Sequence, residues 1–211
     1  MAIARLQDRV SRGFGTAARR LGYEYDAYRT AHPTAPIAPP NRFLRLHAAF
    51  TDENATFHRP VLYGHAAWSG IFDTAYTKPG DYLRGPEGTF FIAAQRPLQP
   101  AICILTNRTI SIVRPAAPAA AGVNAYGGLL ASTATAVLTG WPASILFAGA
   151  GSPGELPGDA ATPTWTILLP TIPTYILPAD RISDDLGMAY VVGSTEQTSL
   201  GWRILAKQAT N

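Results

Sequence analysis

At 211 residues the chain is long enough for one large domain or two small ones with a true core. Hydrophobic residues make up 47% of it and charged residues only 15%, against roughly 25% for an average soluble domain; so weakly charged a surface suits a subunit covered by partners better than a free monomer. Eighteen prolines and nineteen glycines exclude a helical bundle, the lone Cys103 excludes an intrachain disulfide, and no run of eighteen apolar residues marks a membrane span.

The elements follow in chain order. Ile3, Leu6, Val10, Phe14, Ala18 and Leu21 recur at three- and four-residue spacing and predict an amphipathic N-terminal helix within residues 1–29. Arg5, Arg9, Arg12, Arg19 and Arg20 give it a basic face opposed only by Asp8, while Gly13 and Gly15 weaken it by about 1 kcal/mol each relative to alanine. Such a helix needs packing to be ordered. The stretch 1–22 lacks the continuous apolar core of a secretory signal, and with no run long enough to span a membrane the chain is expected to be soluble. Residues 30–42 hold four prolines (Pro33, Pro36, Pro39 and Pro40) and predict an extended arm, lying on its own domain or reaching a neighbour.

From Phe43 the chain alternates short apolar runs with turn residues. Strands are expected at Phe43–Leu46, Val61–Tyr63, Trp68–Asp73, Asp81–Leu83, Thr89–Ala94, Ala101–Leu105 and Thr109–Val113. A second group follows at Ala143–Phe147, Trp165–Leu169, Asp180–Ile182, Ala189–Gly193 and Gly201–Ala206. This density of short strands indicates a barrel or sandwich. The expected division is a first β-unit over 43–114, an uncharged loop or interface segment over 115–142, and a second β-unit over 143–211. Residues 115–154 contain no charged side chain at all. Charge is graded along the chain: nine basic and five acidic residues in 1–60, five and three in 61–114, three and six in 115–211. That gradient would draw one end of a copy toward the opposite end of another.

The two β-units share a pattern. Pro79, Asp81, Leu83, Gly88, Phe91 and Ile92 match Pro178, Asp180, Ile182, Gly187, Tyr190 and Val191 at a constant offset of 99. Six agreements at fixed spacing predict a duplicated β-unit.

Catalytic motifs fail on context. Gly149, Gly151 and Gly154 form GxGxxG, but Pro153, Pro157 and Gly158 forbid the helix that would hold a pyrophosphate. Ser152 lacks the GxSxG frame, since residue 150 is alanine. His32, His47, His58 and His65 show no metal-ligand spacing, although His58 and His65 flank one strand. The acidic pairs Asp52–Glu53 and Asp184–Asp185 fit turn capping better than paired-carboxylate chemistry. Asn54 and Asn107 sit in glycosylation sequons that have no use without secretion. Trp68, Trp141, Trp165 and Trp202 suit core or interface packing, or a stacking platform for sugars or bases. No residue is assigned a catalytic, cofactor-binding or metal-binding role, and no cofactor is expected.

The blocks "LQDRVSRGFGTAARRLGYEYDAYR", "PGDYLRGPEGTFFIAAQRPLQPAICILTNRTISIVRP", "GWPASIL" and "DRISDDLGMAYVVGSTEQTSLGWRILAKQ" resemble small virion proteins of tailed bacteriophages and prophages, and the second half resembles the β-barrel units of tail, baseplate and head–tail neck rings. The resemblance implies a non-enzymatic structural protein that forms a ring at one end of the tail, in the virion tail or neck after assembly in the host cytoplasm. Implied partners are copies of itself and adjacent tube, sheath or neck proteins, with a weak nucleic-acid contact through the basic N-terminal helix. Trp141, Trp165 and the uncharged middle are expected to be buried between subunits. The alternatives are a glycan-binding β-sandwich of a host-recognition device and, behind it, a hydrolase using Asp184 or Asp185 with a histidine.

Overall fold

The computed structural model describes residues 2–52, 64–115, 134–150 and 163–209. The expected strand at 61–63, most of the uncharged segment, His58, Asn54, Glu53, Gly151, Ser152 and Gly154 lie outside them. Among the described residues the chain is one helix followed by strands. Helix α1 (Ala2–Leu21) leads into β1 (Tyr23–Tyr28), β2 (Arg42–Asp52), β3 (Ala67–Ile71), β4 (Tyr82–Gly85), β5 (Gly88–Ala94) and β6 (Ala101–Thr106). Then come β7 (Arg108–Arg114), β8 (Thr135–Ala150), β9 (Pro163–Leu169), β10 (Arg181–Asp184), β11 (Ala189–Thr198) and β12 (Gly201–Gln208).

The strands close into two barrels, ordered β1-β2-β3-β6-β5-β4 and β7-β8-β9-β12-β11-β10, with every neighbouring pair antiparallel. Renumbered from its own first strand, the second ring has the same order as the first. The chain therefore contains one β-topology twice, as the sequence repeat predicted.

The register corrects the offset. Tyr82 pairs with Phe91, and Arg181, ninety-nine residues after Tyr82, pairs with Val191. The β10–β11 turn is one residue longer than the β4–β5 turn, because Asp185, Leu186 and Gly187 stand where Pro86 and Glu87 stand. Past the turn the offset is 100, so Phe91 and Ile92 correspond to Val191 and Val192. Gly88 corresponds to Met188. Bulges confirm this: β5 shifts register between Ile92 and Ala94, and β11 between Val192 and Ser194. A one-residue slip exchanges the two faces of a strand. With the corrected offset, Phe90 and Ile92 fill the first barrel where Tyr190 and Val192 fill the second.

The unit boundaries also move. Tyr23–Tyr28, expected inside the helical segment, is a strand, since Tyr25 and Ala27 alternate inward with Glu24 and Asp26 outward. Thr109–Val113, expected in the first unit, belongs to β7 of the second barrel, and residues 135–142 of the expected loop form the first half of β8. The boundary is Asn107 alone. Its side chain imitates a strand backbone: Nδ2 donates to the Ile145 carbonyl (2.9 Å), and Oδ1 accepts from the Ile145 amide (2.8 Å).

The first barrel is packed with aromatic rings. Phe50 and Phe90 stack at 3.8 Å between centroids, and the Tyr25 ring meets Phe50 edge-on at 5.1 Å. Cys103 is buried beside them, where desolvation pushes its thiol pKa up. Strand β5 buries both faces. Phe90 and Ile92 enter its own barrel, while Phe91 and Ala93 join Tyr28, Tyr82 and Ile104 against the second barrel in a shared core with Trp141 and Leu138. This double burial explains why "FFIAA" shows no alternation.

Candidate functional site

Each barrel carries the same polar clamp. In the first, Lys78-Pro79-Gly80-Asp81 makes a turn closed by the Asp81 amide on the Lys78 carbonyl (3.2 Å), with Gly80 at φ +96°. Asp81 folds its carboxylate back onto the Lys78 amide (2.8 Å) and takes a two-pronged ion pair from Arg29, both contacts 2.7 Å. Arg29 also donates to the Tyr76 carbonyl (3.2 Å). In the second, Asp180 binds the Leu177 amide (2.8 Å) and Arg114 (both contacts 2.9 Å), and Arg114 donates to the Tyr175 carbonyl (2.8 Å). The aspartate side chains are 1% exposed. Hydrogen bonding to Asp81 and Asp180 raises the pKa of each guanidinium. These carboxylates are fully occupied and tie the first strand of each barrel to the turn before its fourth. Their task is structural.

The proline arm connects β1 to β2 and crosses to the other barrel. The Pro33 carbonyl accepts from Trp141 Nε1 (2.7 Å) and from the Thr139 amide (3.0 Å), and the Ala35 amide donates to the Thr139 carbonyl (2.8 Å). Pro36 is buried, Ile37 packs on the shared core, and Asn41 Nδ2 donates to the carbonyls of Ala35 and Pro36 (3.1 Å each). The arm is a strap within one molecule. Tyr82 reinforces the seam, donating its hydroxyl to the Pro142 carbonyl (2.8 Å) with its ring edge-on to Trp141.

Helix α1 lies along the first barrel on its small residues. Ser11 bonds Thr74 (2.9 Å), Gln7 Oε1 accepts from the Leu98 amide (2.8 Å), and Ala18 is fully buried. Gly22, where the helix turns into β1, approaches the Ala48 backbone so closely that a Cβ would collide with its carbonyl. The predicted apolar stripe is therefore not the main contact: Leu6 is 48% exposed and Leu21 72%. Between the other flank of α1 and β2 runs a groove of about 430 Å³ lined by Arg12, Arg19, Arg45, His47, Asp73 and Tyr76. The sequence singled out His47 only as one of four scattered histidines and Tyr76 not at all, because no motif links them to the helix arginines.

The remaining sequence candidates scatter. Trp141 is 1% exposed inside its own chain, so the expectation that subunit contacts bury it is corrected. Trp68 packs on the first core, and Trp165 and Trp202 on the second, which leaves no shared platform for a sugar. Trp165 and Trp202 keep buried indole N–H groups that find no acceptor among the described residues. Asp184 caps its turn, accepting from the Leu186 (3.0 Å) and Met188 (2.8 Å) amides and from the Tyr190 hydroxyl (3.3 Å), with Arg108 at 3.8 Å. His32 is exposed, His47 lines the groove, and Asp52 is buried at the end of β2. Gly149 lies at a β8 bulge with φ +123°. Among the described residues no group of three histidine, cysteine or acidic side chains is placed to hold a metal, and no helix is long and apolar enough to cross a membrane. No family model, no curated protein and no solved structure matches the chain.

Proposed function

We propose that the protein is a non-enzymatic structural component of a tailed-phage particle, a ring-forming subunit at an end of the tail, in the baseplate or the head–tail neck. The observation that carries this reading is the surface. Leu6, Leu21, Tyr23, Phe147, Tyr175 and Leu186 are all more than a third exposed on a chain with few charges to keep it apart from its neighbours. Apolar side chains displayed in this number favour contact with further subunits. Two barrels strapped into one block suit a building unit, since the filled interiors leave the outer surfaces to make contacts. The resemblance to virion proteins supports the same conclusion. Partners in this reading are copies of the chain and adjoining tube, sheath or neck proteins, with nucleic acid touched through α1; it would reside in the virion after assembly in the host cytoplasm.

Light scattering coupled to gel filtration, followed by negative-stain imaging, tests the proposal. Closed rings, in isolation or on intact particles, are expected. A chain that stays monomeric and is missing from purified particles would overturn it.

A further inference from the structure

We infer that the groove between α1 and β2 binds the phosphodiester backbone of a nucleic acid. The inference deepens the nucleic-acid contact in the proposal above and rests on that part of it alone, not on ring formation. Arg5, Arg9, Arg12, Arg19 and Arg20 occur at helical spacing and share one flank of α1. From Arg5 to Arg19 the helix rises about 21 Å at about 1.5 Å per residue, the axial length of about six nucleotides at roughly 3.4 Å each. The row is held rigid because Gln7, Ser11 and Ala18 anchor the helix to the barrel.

The charges in this row are unspent. Arg29, Arg42, Arg45, Arg108, Arg114 and Arg203 each have a carboxylate within ion-pair distance, whereas among the described residues none of the five helix arginines does. Several of the acids that a second copy could offer are already spent within that copy. Its Asp26, Asp81, Asp180, Asp184 and Glu196 are already engaged by its own arginines. Its Glu87 accepts the Tyr25 hydroxyl. An external polyanion fits better, and guanidinium forks match phosphate oxygens in particular. Across the groove stands His47, and Tyr76, 66% exposed, offers a ring on which a base can stack. Asp73, the acid at the groove, is turned onto the Ala75 amide (3.0 Å).

The test is fluorescence anisotropy of the full chain with a labelled 20-nucleotide single strand and a 20-base-pair duplex, from 50 to 200 mM salt. The paired Arg12→Ala and Arg19→Ala variant should bind the duplex about tenfold more weakly at 200 mM salt and flatten the log–log salt slope by about 1.8, at roughly 0.9 per lost phosphate contact. A control pair on the second barrel, Arg181→Ala and Lys207→Ala, should leave binding unchanged. Because Arg12 and Arg19 have no ion-pair partner among the described residues, their replacement should keep the parent melting temperature. Failure to bind either oligonucleotide at 50 mM salt would overturn the inference. So would equal losses from the two variants, or equally tight binding of polyglutamate. A chain that forms rings yet fails here loses only this inference, while one that binds yet never assembles loses only the ring.

Discussion

Gly80 and Ala179 occupy the same corner of the two barrels, and both hold the backbone at positive φ, +96° and +70°. Glycine adopts this conformation freely, whereas alanine is strained there by about 1 to 2 kcal/mol. Ala179→Gly should therefore stabilise the protein by about 0.5 to 1 kcal/mol once the extra freedom of unfolded glycine is subtracted. Gly80→Ala should cost about 1 kcal/mol. Urea unfolding of both variants checks the sign, and a destabilised Ala179→Gly would show that the corners are not equivalent.

The twin clamps predict matched losses. Asp81→Ala leaves the Lys78 amide and Arg29 without their acceptor, and Asp180→Ala does the same to the Leu177 amide and Arg114. Each should cost about 1 to 3 kcal/mol, chiefly for the turn amide left without an acceptor, since the arginines are partly exposed and can be rehydrated. Hydrogen exchange should quicken first in the barrel that carries the change.

The strap depends on one indole. Trp141→Phe removes the bond to the Pro33 carbonyl while keeping a ring against Tyr82. It should cost about 1 kcal/mol for the lost hydrogen bond. The Ala35 amide should exchange faster, with the amides inside the barrels unaffected. Trp141→Ala should cost about 3 to 5 kcal/mol by opening a cavity in the seam.

Alkali should unfold the protein. Burial raises the pKa of Tyr25, Tyr82, Tyr190 and Cys103, with Glu87 adding to the shift at Tyr25 and Asp184 at Tyr190. The folded state keeps these protons after the unfolded chain has released them, near about pH 8.5 for cysteine and about 10 for tyrosine. Their stabilisation is complete below those values and is lost as pH climbs through the raised folded values. Denaturant midpoints should fall steeply above about pH 10, and Tyr25→Phe should shallow that fall. At the acid end, hydrogen bonding to Arg45 lowers the pKa of Asp26, so a small contribution disappears below about pH 4.

The sequence showed what short-range patterns can carry. Alternation and turn residues placed most strands near their observed positions, and the Pro-x-Asp repeat revealed two copies of one unit. Beyond the turn the repeat misled by one residue, because a single insertion leaves glycine and aromatic spacing superficially intact. Strand β1 was missed because its outward Glu24 and Asp26 are poor strand formers, and only pairing with β2 and β4 fixes them. At the groove, Arg12 and Arg19 stood out as part of a basic face, while His47 and Tyr76 carry no local signal. Their role arises from tertiary placement. The destination of the proline strap was equally hidden, since its partner lies 108 residues away.

That separation sets an order of events on the ribosome. When Pro33 and its neighbours emerge, the strand they must grip has not been made, and Tyr82, Phe91 and Ile104 also wait for their cover. A nascent chain halted after Thr106 would display a greasy flank and a dangling strap. Only once Trp141 has itself cleared the ribosome can the molecule first latch shut.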